Sequence, residues 1–394
     1  MNIQKLLIAN RGEISIRIAR TCVEQGIGTV AVLSRDDSES LHVRAADSAI
    51  ELQGAGAAAY LDIVQLVKLA GEAGCDAIHP GYGFLSENSI FARECIKAGL
   101  IFVGPDPEVL EMFGDKAMAR DLAQRCDVPV PAGTAGAVGL DEAREFFRSL
   151  GPEGAVMLKA VAGGGGRGMR AVFNEAEIEE AYTRCRSEAI KAFGRGDLYV
   201  EELIRNARHI EVQIAGDGTG RAVDVGEREC SIQRRHQKLM EIAPSPSINS
   251  DLRGQLCDAA VRMAESVNYR GLGTFEFLVD ASGDRFVFIE ANPRLQVEHT
   301  VTEEVYGIDL VKAQLHLAEG GALDDLGLTP LPAPNGYAIQ LRVNMETMQP
   351  GGGALPAAGM ISAYMPPAGP GVRVAMDTPV TLPIRVSIRC LPNS

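Results

Sequence analysis

The sequence predicts a mixed architecture that joins an α/β fold to an α+β fold, and three observations support it. Residues 5–113 alternate short apolar runs with amphipathic helical stretches, the pattern of a parallel sheet covered by helices. In residues 155–290, strand-like segments follow one another with one helical stretch between them, which is typical of α+β proteins. The stretch Ala322–Pro334 is rich in Leu, Pro and Ala and indicates a linker before a third region that begins at Tyr337. We therefore expect three domains, with bounds at 1–114, 115–318 and 335–394.

The first domain is predicted to be a Rossmann-like domain built on a parallel sheet. Apolar runs predict strands at Leu6–Ala9, Thr29–Leu33, Ala77–His79 and Ile101–Val103. Helical periodicity predicts helices near Glu13–Glu24, Asp62–Ala73 and Ser89–Ala98. Because ligands bind beyond the carboxyl ends of parallel strands, the loops Asn10–Glu13 and His79–Gly83 are candidate site segments.

The second domain is predicted to contain consecutive strands and two helices. The helices are expected at Asp115–Arg125 and Leu252–Val267. The strands are expected at Ala155–Val161, Met169–Val172, Asp197–Leu203, His209–Ile214, Gly220–Val225, Gly273–Val279 and Arg285–Glu290.

Charge and composition exclude several classes of function. The formal net charge of −14 does not attract nucleic acid or an anionic membrane, so an anionic substrate needs a local cluster of Arg and Lys. No run approaches the roughly 18 apolar residues of a membrane span, and the first charges come too early for a signal peptide. The eight cysteines form no CxxC pair and lie mostly in apolar-periodic segments, which favours buried, reduced thiols in a cytoplasmic protein.

A glycine-rich loop at Ala162–Gly168 is a candidate phosphate site. Backbone N–H groups of such a loop can close around phosphate oxygens, and Lys159 and Arg167 would supply positive charge. A flexible linker is the alternative, although a charged loop between two strands is not linker composition. Lys116, at a predicted helix start, is either a further phosphate contact or a solvated lysine.

Two polar segments follow in the second domain. In Arg208–Ile214 the polarity alternates, so a strand would place His209, Glu211 and Gln213 on one face, toward either a ligand cleft or solvent. The segment Ser231–Lys238 concentrates basic groups in an acidic chain, which indicates either an anion-binding site or a solvated charge run.

Carboxylates between apolar residues indicate a metal site. Glu276 lies between two Phe residues, and Glu290 lies in an apolar strand two residues before Asn292. A buried carboxylate is costly unless it is paired or bound to metal. Two carboxylates and an amide oxygen suit Mg²⁺, and structural salt bridges are the alternative.

Three polar residues at spacing two follow that segment. If the chain is extended, Arg294, Gln296 and Glu298 converge on one side. Arg binds carboxylate-like anions through paired hydrogen bonds, and a neighbouring Glu could act as a general base.

Together these segments resemble the biotin carboxylase branch of the ATP-grasp superfamily. The resemblance covers roughly residues 3–375, and it rests on Ile8–Ile14, His79–Asn88, Gly163–Met169, Glu229–Lys238 and Arg294–His299. The segments His79–Gly83 and Gln233–Lys238 together separate this branch from other ATP-grasp ligases. It implies an ATP-grasp second domain with a lid at about residues 131–203.

The resemblance implies that ATP and bicarbonate are used to carboxylate biotin, through carboxyphosphate, giving carboxybiotin, ADP and phosphate. It implies ATP binding by Lys116, Lys159, Gly163, Gly164, Gly165, Gly166, Arg167, Gly168, Glu201, His209, Gln233 and His236. It implies two Mg²⁺ or Mn²⁺ ions at Glu276, Glu290 and Asn292, and bicarbonate at Lys238, Arg294, Gln296 and Val297. Glu298 would be the base, and Tyr82 and Arg342 would face the ureido ring of biotin.

The resemblance also implies partners, which are a biotin carboxyl carrier protein or domain, a carboxyltransferase such as that of an acyl-CoA carboxylase, and a second copy of the chain in a homodimer. The likeness fades after about Met376. We therefore expect an incomplete C-terminal α+β domain in which the partners of the strand Tyr337–Val343 are absent or incomplete, so that its exposed edge favours aggregation. Two alternatives stay open at this point: an inactive, truncated ATP-binding fragment, and another ATP-grasp ligase such as half of a carbamoyl-phosphate synthetase.

Overall fold

A computed structural model describes residues 2–134, 136–152, 154–161, 168–234, 237–280, 283, 285–344, 346–350, 353–357, 366–375 and 384–390. Its α-helices are α1 (Gly12–Gln25), α2 (Leu41–Ala45), α3 (Gly56–Ala59), α4 (Ile63–Glu72), α5 (Ser89–Lys97), α6 (Pro107–Gly114), α7 (Lys116–Arg125), α8 (Leu140–Ser149), α9 (Ile178–Phe193), α10 (Ser250–Glu265), α11 (His299–Tyr306) and α12 (Leu310–Ala318). Its strands are β1 (Lys5–Ile8), β2 (Gly28–Leu33), β3 (Ser48–Glu51), β4 (Ala77–His79), β5 (Ile101–Phe102), β6 (Val156–Ala160), β7 (Met169–Val172), β8 (Leu198–Glu202), β9 (Arg208–Asp217), β10 (Ala222–Arg234), β11 (Gln237–Ala243), β12 (Arg270–Val279), β13 (Phe286–Asn292), β14 (Tyr337–Val343), β15 (Glu346–Met348), β16 (Ala354–Pro356), β17 (Val372–Ala375) and β18 (Ile384–Cys390). The predicted mixture of α/β and α+β architecture is confirmed.

The N-terminal part is a parallel sheet of five strands in the order β3-β2-β1-β4-β5. The side chains of β1 alternate between two cores, with Leu6 and Ile8 in one and Leu7 in the other. A sheet buried on both faces explains why its strands are continuous apolar runs. The edge strand β3 escaped prediction because its side chains are mostly exposed and it has no apolar run.

A second sheet of eight strands, here called the central sheet, runs in the order β13-β12-β9-β10-β11-β14-β18-β17. One face packs on α10 through residues such as Ile210, Val212 and Leu256. The opposite face of β9 carries Glu211 and Gln213, which are both completely buried. The alternative that this polar face points to solvent is therefore wrong for those two residues.

The expectation that the strand partners of Tyr337–Val343 are absent or incomplete is wrong. This strand, β14, pairs on one side with β11 and on the other side with β18, over the whole length of β18. β18 pairs in turn with β17. In the segment that forms β18, Ile384, Val386 and Ile388 alternate along the chain, and such β-branched residues favour strands. The central sheet thus continues into the last described residues, and the domain bounds at 114, 318 and 335 stay a prediction.

The predicted linker Ala322–Pro334 packs against the body of the protein. Leu323 and Leu328 are buried in the core that also holds one face of β1. Asp324 forms an ion pair with Arg221, with their nearest atoms 3.0 Å apart. The segment predicted as a linker is therefore held to the rest of the protein by buried leucines and by an ion pair.

A small antiparallel sheet in the order β7-β6-β8 forms a third layer with α8 and α9. It has its own apolar core, which includes Leu158, Val172 and Val200. Among the described residues, no helix is long and apolar enough to cross a membrane. The cysteines whose surroundings are described are free, and all of them except Cys126 are buried.

Candidate active site

One cavity of about 840 Å³ lies between the central sheet, the small sheet and the loop after β4. It gathers candidate residues from distant parts of the sequence. Its lining includes Tyr82, Lys116, Lys159, Glu201, His209, Gln233, Lys238, Glu276, Glu290, Asn292, Arg294, Gln296, Val297, Glu298 and Arg342.

The glycine loop is only partly described. Gly163, Gly164, Gly165, Gly166 and Arg167 lie outside the described residues, as does His236. Gly168 is described and does not line the cavity. Its carbonyl accepts a hydrogen bond from the N–H of Ala160 at 2.9 Å, and its φ of 70° lies in the left-handed region that favours glycine.

A row of charged residues crosses the cavity face of the central sheet. Glu290 on β13 is the cross-strand partner of Glu276 on β12, and Glu276 is the partner of Glu211 on β9. Glu211 is in turn the partner of Arg228 on β10. Directly opposed residues share a face of the sheet, so three carboxylates and one guanidinium follow one another across four strands.

Lys238, on β11, is the cation at the centre of this face. Its Nζ lies 2.5 Å from Glu211 Oε2, 2.7 Å from Glu298 Oε1 and 3.1 Å from Glu276 Oε1. Burial alone would lower the pKa of Lys238, but the three carboxylates outweigh it and hold the pKa well above its usual value. The ammonium group is therefore permanently charged. At Lys238, therefore, the basic segment Ser231–Lys238 is not a solvated charge run.

The carboxylate of Glu298 contacts two cationic side chains, one through each oxygen. Oε1 accepts from Lys238, and Oε2 accepts from Nη2 of Arg342 at 2.9 Å. Glu298 occupies the N-cap position of α11 but does not cap that helix with its side chain, so the carboxylate is directed to these two cations. Burial would raise the pKa of Glu298, but Lys238 and Arg342 hold it well below its usual range.

Glu241 is a further carboxylate behind the cavity, and no pattern in the sequence selects it. It is completely buried on β11, and its Oε1 lies 2.5 Å from Nη2 of Arg342. Burial raises the pKa of Glu241 to about 7, even though the Arg342 guanidinium favours the charged form. Arg342 therefore lies between two carboxylates, Glu241 and Glu298.

The surroundings of Glu276 and Glu290 shift the pKa values of the two carboxyl groups in opposite directions. Burial would raise the pKa of Glu276, but Lys238 and His209 lower it to about 2. Burial and the negative charge of Glu276 raise the pKa of Glu290. A divalent cation between the two carboxylates would relieve that repulsion, and the oxygen donors fit Mg²⁺. Asn292 fits less directly, since its amide donates to Glu276 at 2.7 Å.

His209 and Gln233 contact each other at 2.8 Å through His209 Nδ1 and Gln233 Nε2. The other ring nitrogen of His209 lies 2.5 Å from Glu276 Oε2. Burial would lower the pKa of His209, but the Glu276 carboxylate outweighs it and raises the pKa. The predicted ATP residues therefore meet the predicted metal residues at Glu276.

Glu201 holds two cations at the other end of the cavity. Its Oε1 accepts from Nη1 of Arg120 at 2.6 Å, and its Oε2 forms an ion pair with Lys159. Lys116 is half-buried at the first position of α7 and lines the same cavity. This position leaves both alternatives for Lys116 open, a phosphate contact and a solvated lysine.

Arg294 is fixed by neighbours rather than by an extended strand. After β13 the chain bends at Arg294 and turns at Val297 and Glu298, so the condition of an extended segment is not met. The turn still brings Arg294 to Gln296, with 3.0 Å from Nη1 to Oε1. Nη2 of Arg294 donates to Asn292 Oδ1 at 3.1 Å, and Nε pairs with Glu87.

The loop after β4 is held by a side chain from the loop after β1. Nδ2 of Asn10 donates to the carbonyl oxygens of Pro80 and Tyr82, at 2.7 and 2.8 Å. A Cβ on Gly81 would lie 2.9 Å from that Nδ2, and Gly81 has a φ of 65°. The buried His79 accepts the Gly81 N–H at 3.0 Å through Nδ1. These contacts fix the backbone on which Tyr82 faces the cavity.

Two family models match the chain. Residues 2–110 match the family described as biotin carboxylase, N-terminal domain. Residues 115–326 match the family described as carbamoyl-phosphate synthase L chain, ATP binding domain.

Curated and solved relatives agree with these matches. The pyruvate carboxylase of Aspergillus niger is 49% identical over 380 residues, which are 95% of this chain and 32% of that protein. The chain thus spans about a third of the length of the curated relatives it matches.

Two solved structures resemble nearly the whole chain. The biotin carboxylase–βγ-ATP complex from Campylobacter jejuni has a TM-score of 0.91 and 42% identity, over 99% of this chain and 88% of that chain. The biotin carboxylase domain dimer of the 2-oxoglutarate carboxylase from Hydrogenobacter thermophilus, solved with MgADP, ADP and bicarbonate, has a TM-score of 0.90 and 41% identity, over 99% and 87%.

Proposed function

We propose, since this chain belongs to the biotin carboxylase family, that it uses ATP and bicarbonate to carboxylate biotin. The products are carboxybiotin, ADP and phosphate, and carboxyphosphate is the intermediate. The observation that carries the proposal is that Lys238 and Arg342 contact opposite oxygens of Glu298. The carboxylate proposed as the base thus contacts one ammonium group and one guanidinium.

Bicarbonate is proposed to bind at Lys238, Arg294, Gln296 and Val297. A guanidinium and an ammonium group together suit a small planar anion. Arg294 is already held by Gln296 and Asn292, so its donors are oriented before the substrate arrives.

Glu298 is proposed to be the base for bicarbonate. Once the anion takes a share of the Lys238 ammonium, the opposing effect of burial raises the pKa of Glu298. The carboxylate then accepts the bicarbonate proton while a bicarbonate oxygen attacks the γ-phosphorus of ATP and ADP leaves. This step forms carboxyphosphate.

Biotin carboxylation is proposed to follow in the same closed space. Carboxyphosphate breaks into CO₂ and phosphate, phosphate accepts the N1′ proton of biotin, and N1′ attacks CO₂. Arg342 stabilises the negative charge that develops on the ureido oxygen, and Tyr82 lines that side of the cavity. Exclusion of water protects the intermediate, which is the proposed role of the lid loop Gly163–Gly168.

ATP is proposed to occupy the end of the cavity lined by Lys116, Lys159, Glu201, His209 and Gln233, with His236 completing the set. The Lys159–Glu201 ion pair would exchange for contacts with phosphate, since a phosphate offers stronger acceptors.

Two Mg²⁺ or Mn²⁺ ions are proposed for the same end of the cavity, at Glu276, Glu290 and Asn292. When bound, they would neutralise charge on the phosphates. The chain itself provides the adjacent carboxylates of β12 and β13, held by backbone pairing.

The partners proposed are a biotinylated carrier protein or domain, a carboxyltransferase and a second copy of the chain. The curated relatives are pyruvate carboxylases about three times as long, so they hold further segments that this chain does not match. The choice of carboxyl acceptor is proposed to lie with the transferase. The free, mostly buried thiols support a reducing, cytoplasmic location.

The test is ATP cleavage by the purified chain, followed with bicarbonate and free biotin added separately and together. We expect bicarbonate-dependent release of ADP that biotin stimulates, with transfer of labelled bicarbonate to biotin. ATP binding without either dependence would support an inactive ATP-binding fragment. Cleavage stimulated by ammonia or glutamine, and not by biotin, would support another ATP-grasp ligase.

A further inference from the structure

Arg228 is a completely buried cation beneath the cavity and does not line it. Its Nε pairs with Glu211, and Nη1 donates to Gln213 Oε1 and Thr302 Oγ1, both at 2.9 Å. Nη2 donates to Thr274 Oγ1 at 3.1 Å. One guanidinium thus connects three strands of the central sheet to helix α11, which begins directly after Glu298.

Glu211 is shared between two cations. Its Oε1 faces Arg228, while its Oε2 lies 2.5 Å from Nζ of Lys238. Lys238 also contacts Glu276 and Glu298, so three carboxylates surround one ammonium group. Without Arg228, Lys238 would be the nearest cation left for the fully buried Glu211 carboxylate.

We infer that Arg228 is a positioning residue that acts through Glu211 to leave Lys238 available for an anionic substrate. This inference rests on the proposed function and adds to it a residue outside the cavity. Arg228 offsets the negative charge of Glu211 and fixes its orientation, so Glu211 attracts Lys238 less strongly than it would without Arg228. Because interactions between buried charges are weakly screened, removing the charge of Arg228 alters how strongly Lys238 attracts bicarbonate.

A purely structural role for Arg228 makes a different prediction. Replacing a buried ion pair by apolar groups is often neutral for stability, whereas removing one partner leaves an uncompensated charge. A structural role would therefore lower stability and weaken the binding of all substrates together. A positioning role weakens bicarbonate use selectively, because nucleotide is proposed to bind elsewhere in the cavity.

The experiment compares three variants of the full chain with the unchanged protein. Arg228→Met removes the charge, Arg228→Lys keeps the charge but loses the fork of donors, and Arg228→Met with Glu211→Gln removes both charges. The matched control is Arg253→Met, since Arg253 pairs with the buried Glu227 on the other face of the same strand. For each protein, the KM for bicarbonate, the kcat of ATP cleavage, the Kd for ADP and the thermal midpoint are measured.

We expect Arg228→Met to raise the KM for bicarbonate by about 10- to 100-fold, the usual effect of losing a residue that orients a ligand-binding group. The Kd for ADP should stay within about twofold of its value in the unchanged protein, because Arg228 does not contact the proposed nucleotide site. The double variant and Arg228→Lys should each recover part of the bicarbonate affinity, and the control should keep its KM. If Arg228→Met does not fold, the other two variants carry the test, because neither leaves a buried carboxylate without a countercharge.

An unchanged KM for bicarbonate in the variants would overturn the inference. So would a fall in ADP affinity and thermal midpoint that parallels the rise in KM, or a double variant no better than Arg228→Met. Absence of bicarbonate-dependent ATP cleavage in the unchanged protein would instead contradict the proposed function.

Discussion

Nζ of Lys238 lies 2.7 Å from Oε1 of Glu298, and Nη2 of Arg342 lies 2.9 Å from the other oxygen of the same carboxylate. The base of the proposed reaction is therefore held by the groups proposed for bicarbonate and for biotin. Its charge state depends on both, so a substrate that takes over either cation changes the basicity of Glu298.

Glu298→Gln is expected to abolish bicarbonate-dependent ATP cleavage and to leave nucleotide binding nearly intact. The amide has the shape of the carboxylate but cannot accept the bicarbonate proton. Cleavage rate and ADP affinity are measured on the same preparation. Glu227→Gln, a change at a buried carboxylate that does not line the cavity, is the control. Retained turnover in Glu298→Gln would show that another group is the base.

Lys238→Gln is expected to raise the bicarbonate requirement far more than it weakens ATP binding. A charge-assisted hydrogen bond contributes roughly 1.5–3 kcal/mol, which corresponds to about a 10- to 150-fold loss of affinity. The KM for bicarbonate is compared with that of Lys312→Gln, which changes an exposed lysine on α12. An unchanged KM would exclude Lys238 from the anion site.

Glu290→Gln is expected to raise the Mg²⁺ concentration needed for half-maximal ATP cleavage. The substitution removes a negative charge and an oxygen donor beside Glu276. Mg²⁺ is titrated at fixed ATP in this variant and in Glu304→Gln, a change on α11 outside the cavity lining. If both variants need the same Mg²⁺ as the unchanged protein, Glu290 is not a metal ligand.

Glu303 is expected to make stability depend on pH. Burial would raise its pKa, but His299, Arg17 and Arg373 lower it to about 2, below the unfolded value of roughly 4.5. Unfolding therefore takes up a proton in this window, so the contribution of Glu303 is complete above about pH 5 and is lost as the pH falls toward 2.

That contribution is on the order of 3 kcal/mol. The measurement is the free energy of unfolding of the unchanged protein and of Glu303→Gln between pH 7 and pH 2. The difference should be largest above pH 5 and should shrink as the pH falls. A difference that is constant with pH would contradict a depressed pKa in the folded protein.

Ile388→Pro is expected to lower the thermal midpoint by several degrees and to increase aggregation. Residue 388 is paired on both sides, with Ile339 of β14 and Val372 of β17, and proline has no N–H for the ladder. Light scattering and thermal unfolding are compared with Ile388→Val, which keeps the N–H. Equal behaviour of the two variants would show that the pairing of β18 does not protect β14.

The sequence predicted those parts of the site whose chemistry lies in short segments. Glu276 between two Phe residues and the spacing of Arg294 from Glu298 could be recognised because neighbours in the chain are also neighbours in space. Glu211 was recognised only in part. Alternation placed it on the polar face of a strand, but whether that face is buried depends on tertiary packing, which the sequence pattern does not contain.

Arg228 and Glu241 could not be found in this way. Arg228 lies within the charged triplet Glu227–Glu229, which in sequence looks like a solvated run. Its role follows from cross-strand register with Glu211, and register is set by long-range pairing that local patterns do not contain. The same limit explains β18, whose partner β14 lies more than forty residues earlier in the chain.

The loop that carries Tyr82 is held through its main chain, because two of its carbonyl oxygens accept hydrogen bonds from Nδ2 of Asn10. Backbone carbonyls are the same in every residue type, so these two hydrogen bonds do not depend on which side chain residue 82 carries. A substitution at residue 82 therefore keeps the hydrogen bonds from Asn10 while it changes a side chain that lines the cavity. Gly81 does not tolerate substitution, because any Cβ would clash with the Asn10 amide that holds the loop in place.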